Sequence, residues 1–220
     1  MTNINPFKEK IPQDTLIRIP EYLRIINAGI VAGETHLSSG DIADRLGVTS
    51  AVIRKDFTSI GSTGKPRTGF NLQELKQKLE HTLGYDDIRY LVLVGDNSFT
   101  NALLDIEKLR EYGLIISGIH LKSGVDQVTN LFGNESKDIA IATKEDLKIF
   151  CASNTLDIAV LDTNLKDAQE YVDLLTSSGI KAIWNYINTP LDVPDDVIVQ
   201  STLLEETLGM LWYKMKTAKM

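Results

Sequence analysis

The stretch Ser38-Ser39-Gly40-Asp41-Ile42-Ala43-Asp44-Arg45-Leu46-Gly47-Val48-Thr49-Ser50-Ala51-Val52-Ile53-Arg54-Lys55-Asp56-Phe57 decides how the first third of the chain folds. Ser38 to Asp41 is a capping-box pattern placed just before Ile42, Ala43 and Leu46, and Gly47 supplies the stop of a short helix. Thr49 then offers an N-cap hydroxyl to a second helix that turns Val52, Ile53 and Phe57 inward. Two short helices joined by a glycine-containing turn of about three residues have the pattern of a helix-turn-helix. Upstream, Leu16, Ile19, Leu23, Ile26 and Ile30 form one apolar stripe, which Pro20 is expected to kink or break. Downstream, Gly61, Gly64, Pro66 and Gly69 crowd a turn-rich loop or hairpin, and an amphipathic helix from Leu72 to Leu83 ends at Gly84.

From Asp87 the rhythm changes to strand, helix, strand. Tyr90 to Val94 is a continuous apolar run ending at Gly95, the pattern of a strand buried on both faces. Further strands are expected at 114–119, 139–142, 158–161, 182–184 and 197–199. Helices are expected through Ala102, Leu103, Ile106 and Leu109 and over 144–150 and 165–177. Alternation of this kind implies a parallel sheet covered on both faces. The expected fold class is α/β: an N-terminal winged-helix domain (1–84), a Rossmann-like parallel-sheet domain (85–202) and an apolar C-terminal helix (203–220). That last helix carries Leu203, Leu204, Thr207, Leu208, Leu211, Trp212 and Met215 in one stripe, which must bury itself on its own sheet or in a second subunit.

Composition removes several classes. No apolar run reaches the roughly 20 residues of a membrane span. The polar opening lacks a signal-peptide core, and the single cysteine, Cys151, forms no disulfide framework, so a cytoplasmic chain is expected. The net charge is −7, but it is unevenly spread: residues 1–84 hold 11 Lys+Arg against 9 Asp+Glu, and the remainder 12 against 21. Between Arg45 and Arg67, five basic residues face only Asp56. An acidic body with a basic N-terminal stretch points to two domains with different partners.

Within the helix-turn-helix, Ser50, Arg54 and Lys55 fall opposite the inward Val52, Ile53 and Phe57, a face suited to the major groove of double-stranded DNA. Lys65 and Arg67 on the glycine-rich loop would form a wing reaching phosphate or the minor groove. The loop after the first α/β strand reads Gly95-Asp96-Asn97-Ser98-Phe99-Thr100, where a dinucleotide turn wants Gly-x-Gly-x-x-Gly; of that fingerprint Gly95 alone remains. The acid that grips the adenosine ribose after the second strand is also missing, since the strand ends Ile119-His120-Leu121-Lys122. These losses argue against tight NAD binding. His36, His81 and His120 are scattered with no metal-ligand spacing, and no nucleophile–base pair is evident, so neither a metal nor an enzyme activity is expected.

The order of parts, with the 38–57 segment, Ile11-Pro12, Arg18, Tyr22, Arg24, Gly179 to Ile183, Asn185-Tyr186 and Val193-Pro194, resembles the Rex family of redox-sensing transcriptional repressors over nearly the whole chain. The resemblance implies a homodimer with the terminal helix exchanged between subunits, an inverted-repeat DNA operator and NAD(H) as cofactor. It departs from the family in five places: the wing Gly64-Lys65-Pro66-Arg67, the nucleotide loop, the ribose-binding acid, Asp162-Thr163-Asn164 after the fourth strand, and Leu203 where the family has an aspartate at the domain interface. The sequence therefore reads as a Rex-type repressor with weakened or lost NAD(H) sensing. A fully NADH-responsive repressor and a nucleotide-dependent Rossmann enzyme with a helical appendage are the rival readings.

Overall fold

The computed structural model describes residues 11–95, 106–124, 126, 128, 139–162, 166–187, 189–202 and 204–217. The chain divides into two compact units between Asp87 and Ile88. The first holds α1 (Gln13–Val31), β1 (His36–Leu37), α2 (Ser39–Leu46), α3 (Ser50–Ser59), β2 (Phe70–Asn71) and α4 (Leu72–Leu83).

Local chemistry sets these boundaries. Ser38 Oγ accepts from the Asp41 amide at 3.1 Å while the Asp41 carboxylate accepts from the Ser38 amide at 2.8 Å, a reciprocal cap on α2. Gly47 closes α2 at φ +75°, a left-handed conformation that costs glycine nothing. Thr49 caps α3 through the Val52 amide. Of the kink or break expected at Pro20, the break does not occur: α1 runs on through it. Pro20 lies on the solvent side, where water can serve the released Leu16 carbonyl, while Ile19, Tyr22 and Ile26 are wholly buried and hold both halves to one core. Phe57 anchors α3 there, meeting Tyr22 and Phe70 edge-on at centroid distances of 5.0 and 4.9 Å.

The second unit holds β3 (Arg89–Gly95), α5 (Ile106–Glu111), β4 (Leu114–Leu121), β5 (Ala140–Ile141), α6 (Lys144–Ser153), β6 (Ile158–Asp162), α7 (Ala168–Ser177), β7 (Ala182–Asn185), β8 (Ile198–Ser201) and α8 (Leu204–Thr217). Its six strands pair in parallel in the order β5-β4-β3-β6-β7-β8. In sequence order that is third, second, first, fourth, fifth, sixth, the Rossmann arrangement, with the chain reversing direction across the sheet between β3 and β6. Gly95 and Asp162, register partners, end these two strands and so mark the crevice where such folds take ligands.

Both faces of the sheet are covered, as the apolar runs require. On one, Val92, Val94, Ala159 and Leu161 pack with Leu147 and Cys151 of α6 and Tyr171, Val172 and Leu175 of α7. On the other, Leu91, Leu93, Ile119, Leu121 and Val160 cluster with Val128. Cys151 is a core residue, and burial pushes its thiol up to about 11. Of the helix expected through Ala102 and Leu103, only the part from Ile106 is among the described residues. No helix among them is long and apolar enough to cross a membrane.

Candidate nucleic-acid interface

Of the five residues expected to meet DNA, three share one face of α3. Arg54 and Lys55 are exposed and Ser50 is half-buried, while Ile53, Asp56 and Phe57 are buried on the opposite side. Arg54 Nη1 donates to Ser50 Oγ at 3.1 Å and to Ser39 Oγ, on α2, at 3.2 Å.

Asp56 is the residue that sequence reasoning missed. Counted as the lone acid of a basic stretch, it is only 2% exposed and accepts four hydrogen bonds. Thr15 Oγ1 donates to it at 2.9 Å, Arg18 through Nε at 2.7 Å and Nη2 at 3.0 Å, and the Tyr22 hydroxyl at 2.5 Å. Burial pushes the Asp56 carboxyl upward, but the bonds from Arg18, Tyr22 and Thr15 outweigh it and hold the group below its ordinary 3.8. The same contact, chiefly the hydrogen bond to Asp56, raises Arg18; burial first and then Asp56 raise the Tyr22 hydroxyl. The outer face of α3 is thus carried on a helix bolted to α1 from inside. A sequence signal did exist: Thr15, Arg18 and Tyr22, at i, i+3 and i+7, form a polar stripe beside the apolar one.

The charge count changes accordingly. Asp56 is neutralised inside by Arg18, and Arg45 pairs with Glu34 at 2.7 Å. Arg54, Lys55, Lys65 and Arg67 have no ion-pair partner among the described residues, which leaves two unpaired cations on α3 and two on the loop that follows it. Unpaired cations attract a polyanion, which releases its counterions on binding.

Lys65 and Arg67 sit on a narrow hairpin. Lys65 and Gly69 exchange backbone hydrogen bonds at 2.8 and 2.9 Å, and a Cβ on Gly69 would lie 2.3 Å from the Leu37 carbonyl oxygen, so only glycine lets the wing approach β1 this closely. Pro66 and Arg67 are the central residues of the turn from Lys65 to Thr68, and Arg67 has φ +66°. Proline first with a left-handed second residue is a type II turn, which favours glycine where this chain has arginine. A cation kept at a strained position points to use of its charge. Arg67→Gly is expected to stabilise the unit by about 0.5–1 kcal/mol in thermal melts while weakening DNA binding, whereas Arg67→Lys keeps both the strain and the charge. Stability and affinity falling together in Arg67→Gly would refute this assignment.

In the second unit the crevice can be tested against a dinucleotide. Gly95 stands at the end of β3 as expected; Asp96 to Thr100, Thr163, Asn164 and Leu203 lie outside the described residues. A Rossmann site holds the adenosine ribose of NAD on an acid ending the second strand. There His120 is 3% exposed, with Nδ1 3.0 Å from the Ile141 carbonyl oxygen and Nε2 3.1 Å from the Tyr171 hydroxyl. The carbonyl can only accept, so Nδ1 donates to it, and Nε2 is taken up by the Tyr171 hydroxyl. His120 is therefore a core residue rather than a substitute ribose ligand. Lys122, next on the same edge, is ion-paired with Asp167. Opposite Gly95, Asp162 is a buried carboxylate. This set does not fit the ribose of NAD in the usual way, because no carboxylate ending β4 is present to receive it.

Residues 10–58 match a family model described as "Putative DNA-binding protein N-terminus". The chain is 32% identical over 198 residues to the redox-sensing transcriptional repressor Rex of Caldanaerobacter subterraneus subsp. tengcongensis, covering 90% of this chain and 86% of that one. It is 30% identical over 207 residues to Rex of Clostridium botulinum, covering 94% and 96%. Among solved structures it is similar to RSP in complex with β-NAD+ and operator DNA, at a TM-score of 0.81 and 28% identity over 96% of this chain and 95% of that one. RSP in complex with β-NADH aligns with the same score and identity over 96% and 97%. With a Rossmann-ordered sheet, a clamped helix-turn-helix and identity of this extent, the chain belongs to the Rex family of redox-sensing transcriptional repressors.

Proposed function

We propose that this chain is a cytoplasmic, sequence-specific transcriptional repressor that binds an inverted-repeat operator as a homodimer and has lost most of its response to NAD(H). The observation that carries the DNA reading is the outer face of α3. Arg54 and Lys55 are exposed there beside the half-buried Ser50, and the helix beneath them is fixed by Asp56. A helix held this way enters the major groove without reordering, Arg54 reads a base edge, and Lys65 and Arg67 contact the backbone or minor groove. Repression then follows from occupying a promoter. No enzymatic step is needed, and RSP, which shares the fold, has been captured on operator DNA with β-NAD+.

Loss of sensing is supported by the end of β4, where His120 is turned into the core and Lys122 is held by Asp167. A ligand releases a repressor only through its different affinity for the bound and released states, so weak binding gives little release. The rival, a fully NADH-responsive repressor, is favoured by Gly95 and by the likeness to RSP with β-NADH.

One titration separates the two. The purified chain is bound to a duplex that it has itself selected from a random pool, and NADH or NAD is added, with calorimetry on the same protein. The duplex is expected to stay bound through millimolar NADH. Release at micromolar NADH would overturn the loss of sensing and establish the rival.

A further inference from the structure

Arg54 is held from two sides, and only one of them is its own helix. Ser50 lies one turn earlier on α3, but Ser39 is the first residue of α2, 15 positions away in sequence. Arg54 Nη1 carries two hydrogens, and the two serine hydroxyls account for both. Nε and Nη2 have no hydrogen-bond partner among the described residues. These two nitrogens form one edge of the planar guanidinium, with parallel N–H bonds spaced to meet N7 and O6 of a guanine together. An exposed arginine ordinarily surrenders rotamer freedom when it binds; here the side chain is set beforehand by a neighbouring helix.

We propose that Ser39 is a specificity-determining positioning residue: its hydroxyl fixes Arg54 so that the Nε–Nη2 edge is presented to one base pair of the operator. The proposal rests on the DNA-binding reading of α3. Ser39 acts through Arg54 and makes no DNA contact of its own. A hydroxyl at the start of a helix could instead bind a phosphate directly. The two roles differ in what they do to sequence discrimination and to salt dependence, and that difference is measurable.

The test uses the full chain, wild type and the variants Ser39→Ala, Ser39→Thr, Arg54→Ala and the Ser39→Ala/Arg54→Ala pair. Each is titrated with the selected duplex and a scrambled duplex of equal length at several salt concentrations. Ser39→Ala is expected to lower the ratio of selected to scrambled affinity about 3–10-fold, the worth of one ordinary intramolecular hydrogen bond. Affinity for the scrambled duplex and the salt slope stay unchanged, Ser39→Thr restores the ratio, and in the Arg54→Ala background removing Ser39 has no further effect. In the DNA-free protein, NMR of the Arg54 Nε–H should show greater mobility in Ser39→Ala than in wild type. Equal losses on both duplexes with a shallower salt slope would make Ser39 a phosphate contact and overturn the proposal. So would a loss that persists without Arg54, or an Nε–H that does not change. If wild type fails to discriminate between the duplexes, the DNA reading falls and the proposal with it; the NMR comparison alone then reports whether Ser39 holds Arg54.

Discussion

Asp56→Asn is expected to cost the N-terminal unit about 3–5 kcal/mol, the usual penalty for removing one partner of a buried, hydrogen-bonded ion pair. The amide cannot accept from Thr15, Arg18 and Tyr22 at once, and Arg18, with 29% of its side chain exposed, is left without its counter-charge. Urea unfolding followed by circular dichroism reads the loss, and operator affinity should fall with it because α3 loses its tie to α1. The same carboxylate sets an acid limit. Its folded value lies below the ordinary 3.8, so its stabilisation is complete above that pH and is lost as pH falls through the folded value. Wild type should therefore weaken steeply below about pH 4, while Asp56→Asn should lack that part of the acid dependence. Replacing the whole cluster together, Thr15→Val, Arg18→Met, Tyr22→Phe and Asp56→Leu, should cost much less than Asp56→Asn alone, since apolar packing substitutes for a buried ion pair at little net penalty once no donor is left unpaired. A single-variant cost under about 1 kcal/mol would mean that the cluster behaves like a surface pair.

Most of the elements were legible because their signals are local. The Ser38–Asp41 cap, the stop at Gly47, the Thr49 cap and the stop at Gly84 act within a few residues, so sequence and structure agree on both ends of α2 and α4 and on the start of α3 almost to the residue. Buried parallel strands likewise announce themselves as unbroken apolar runs. What could not be read is long-range. Asp56 looks like a surface acid among basic neighbours until α1 brings Thr15, Arg18 and Tyr22 against it from 34 to 41 positions away. His120 occupies the place of a ligand-binding acid, but its direction depends on Tyr171 and on the Ile141 carbonyl, which no spacing rule connects to it. Pro20 failed as a helix breaker because tertiary burial on either side outweighs a local preference. Strands β1 and β2, of two residues each, are too short to carry any alternation.

Placing aspartate at both Leu211 and Trp212 is expected to convert the protein from dimer to monomer or aggregate and to weaken binding to a two-half-site operator about 100–10,000-fold, the range that linking two binding modules provides. In the single chain α8 leaves Met210, Leu211, Trp212, Tyr213 and Met215 between 51% and 69% exposed, so burial on its own sheet has no support. On the edge strand β8, Ile198 is a further exposed apolar residue, at 48%. Covering five such side chains is worth roughly 8–15 kcal/mol before costs, comparable to the roughly 4–15 kcal/mol that association requires. A second copy is the occupant that fits, because each chain brings one such helix and a two-fold contact covers both at once. The same two-fold axis gives the half-site symmetry of an inverted repeat. Affinity for a single half-site should therefore be retained in the Leu211→Asp/Trp212→Asp variant, which separates lost assembly from a damaged reading head. Sedimentation of a well-folded variant that remains dimeric, with full operator affinity, would place the subunit contact elsewhere on the molecule.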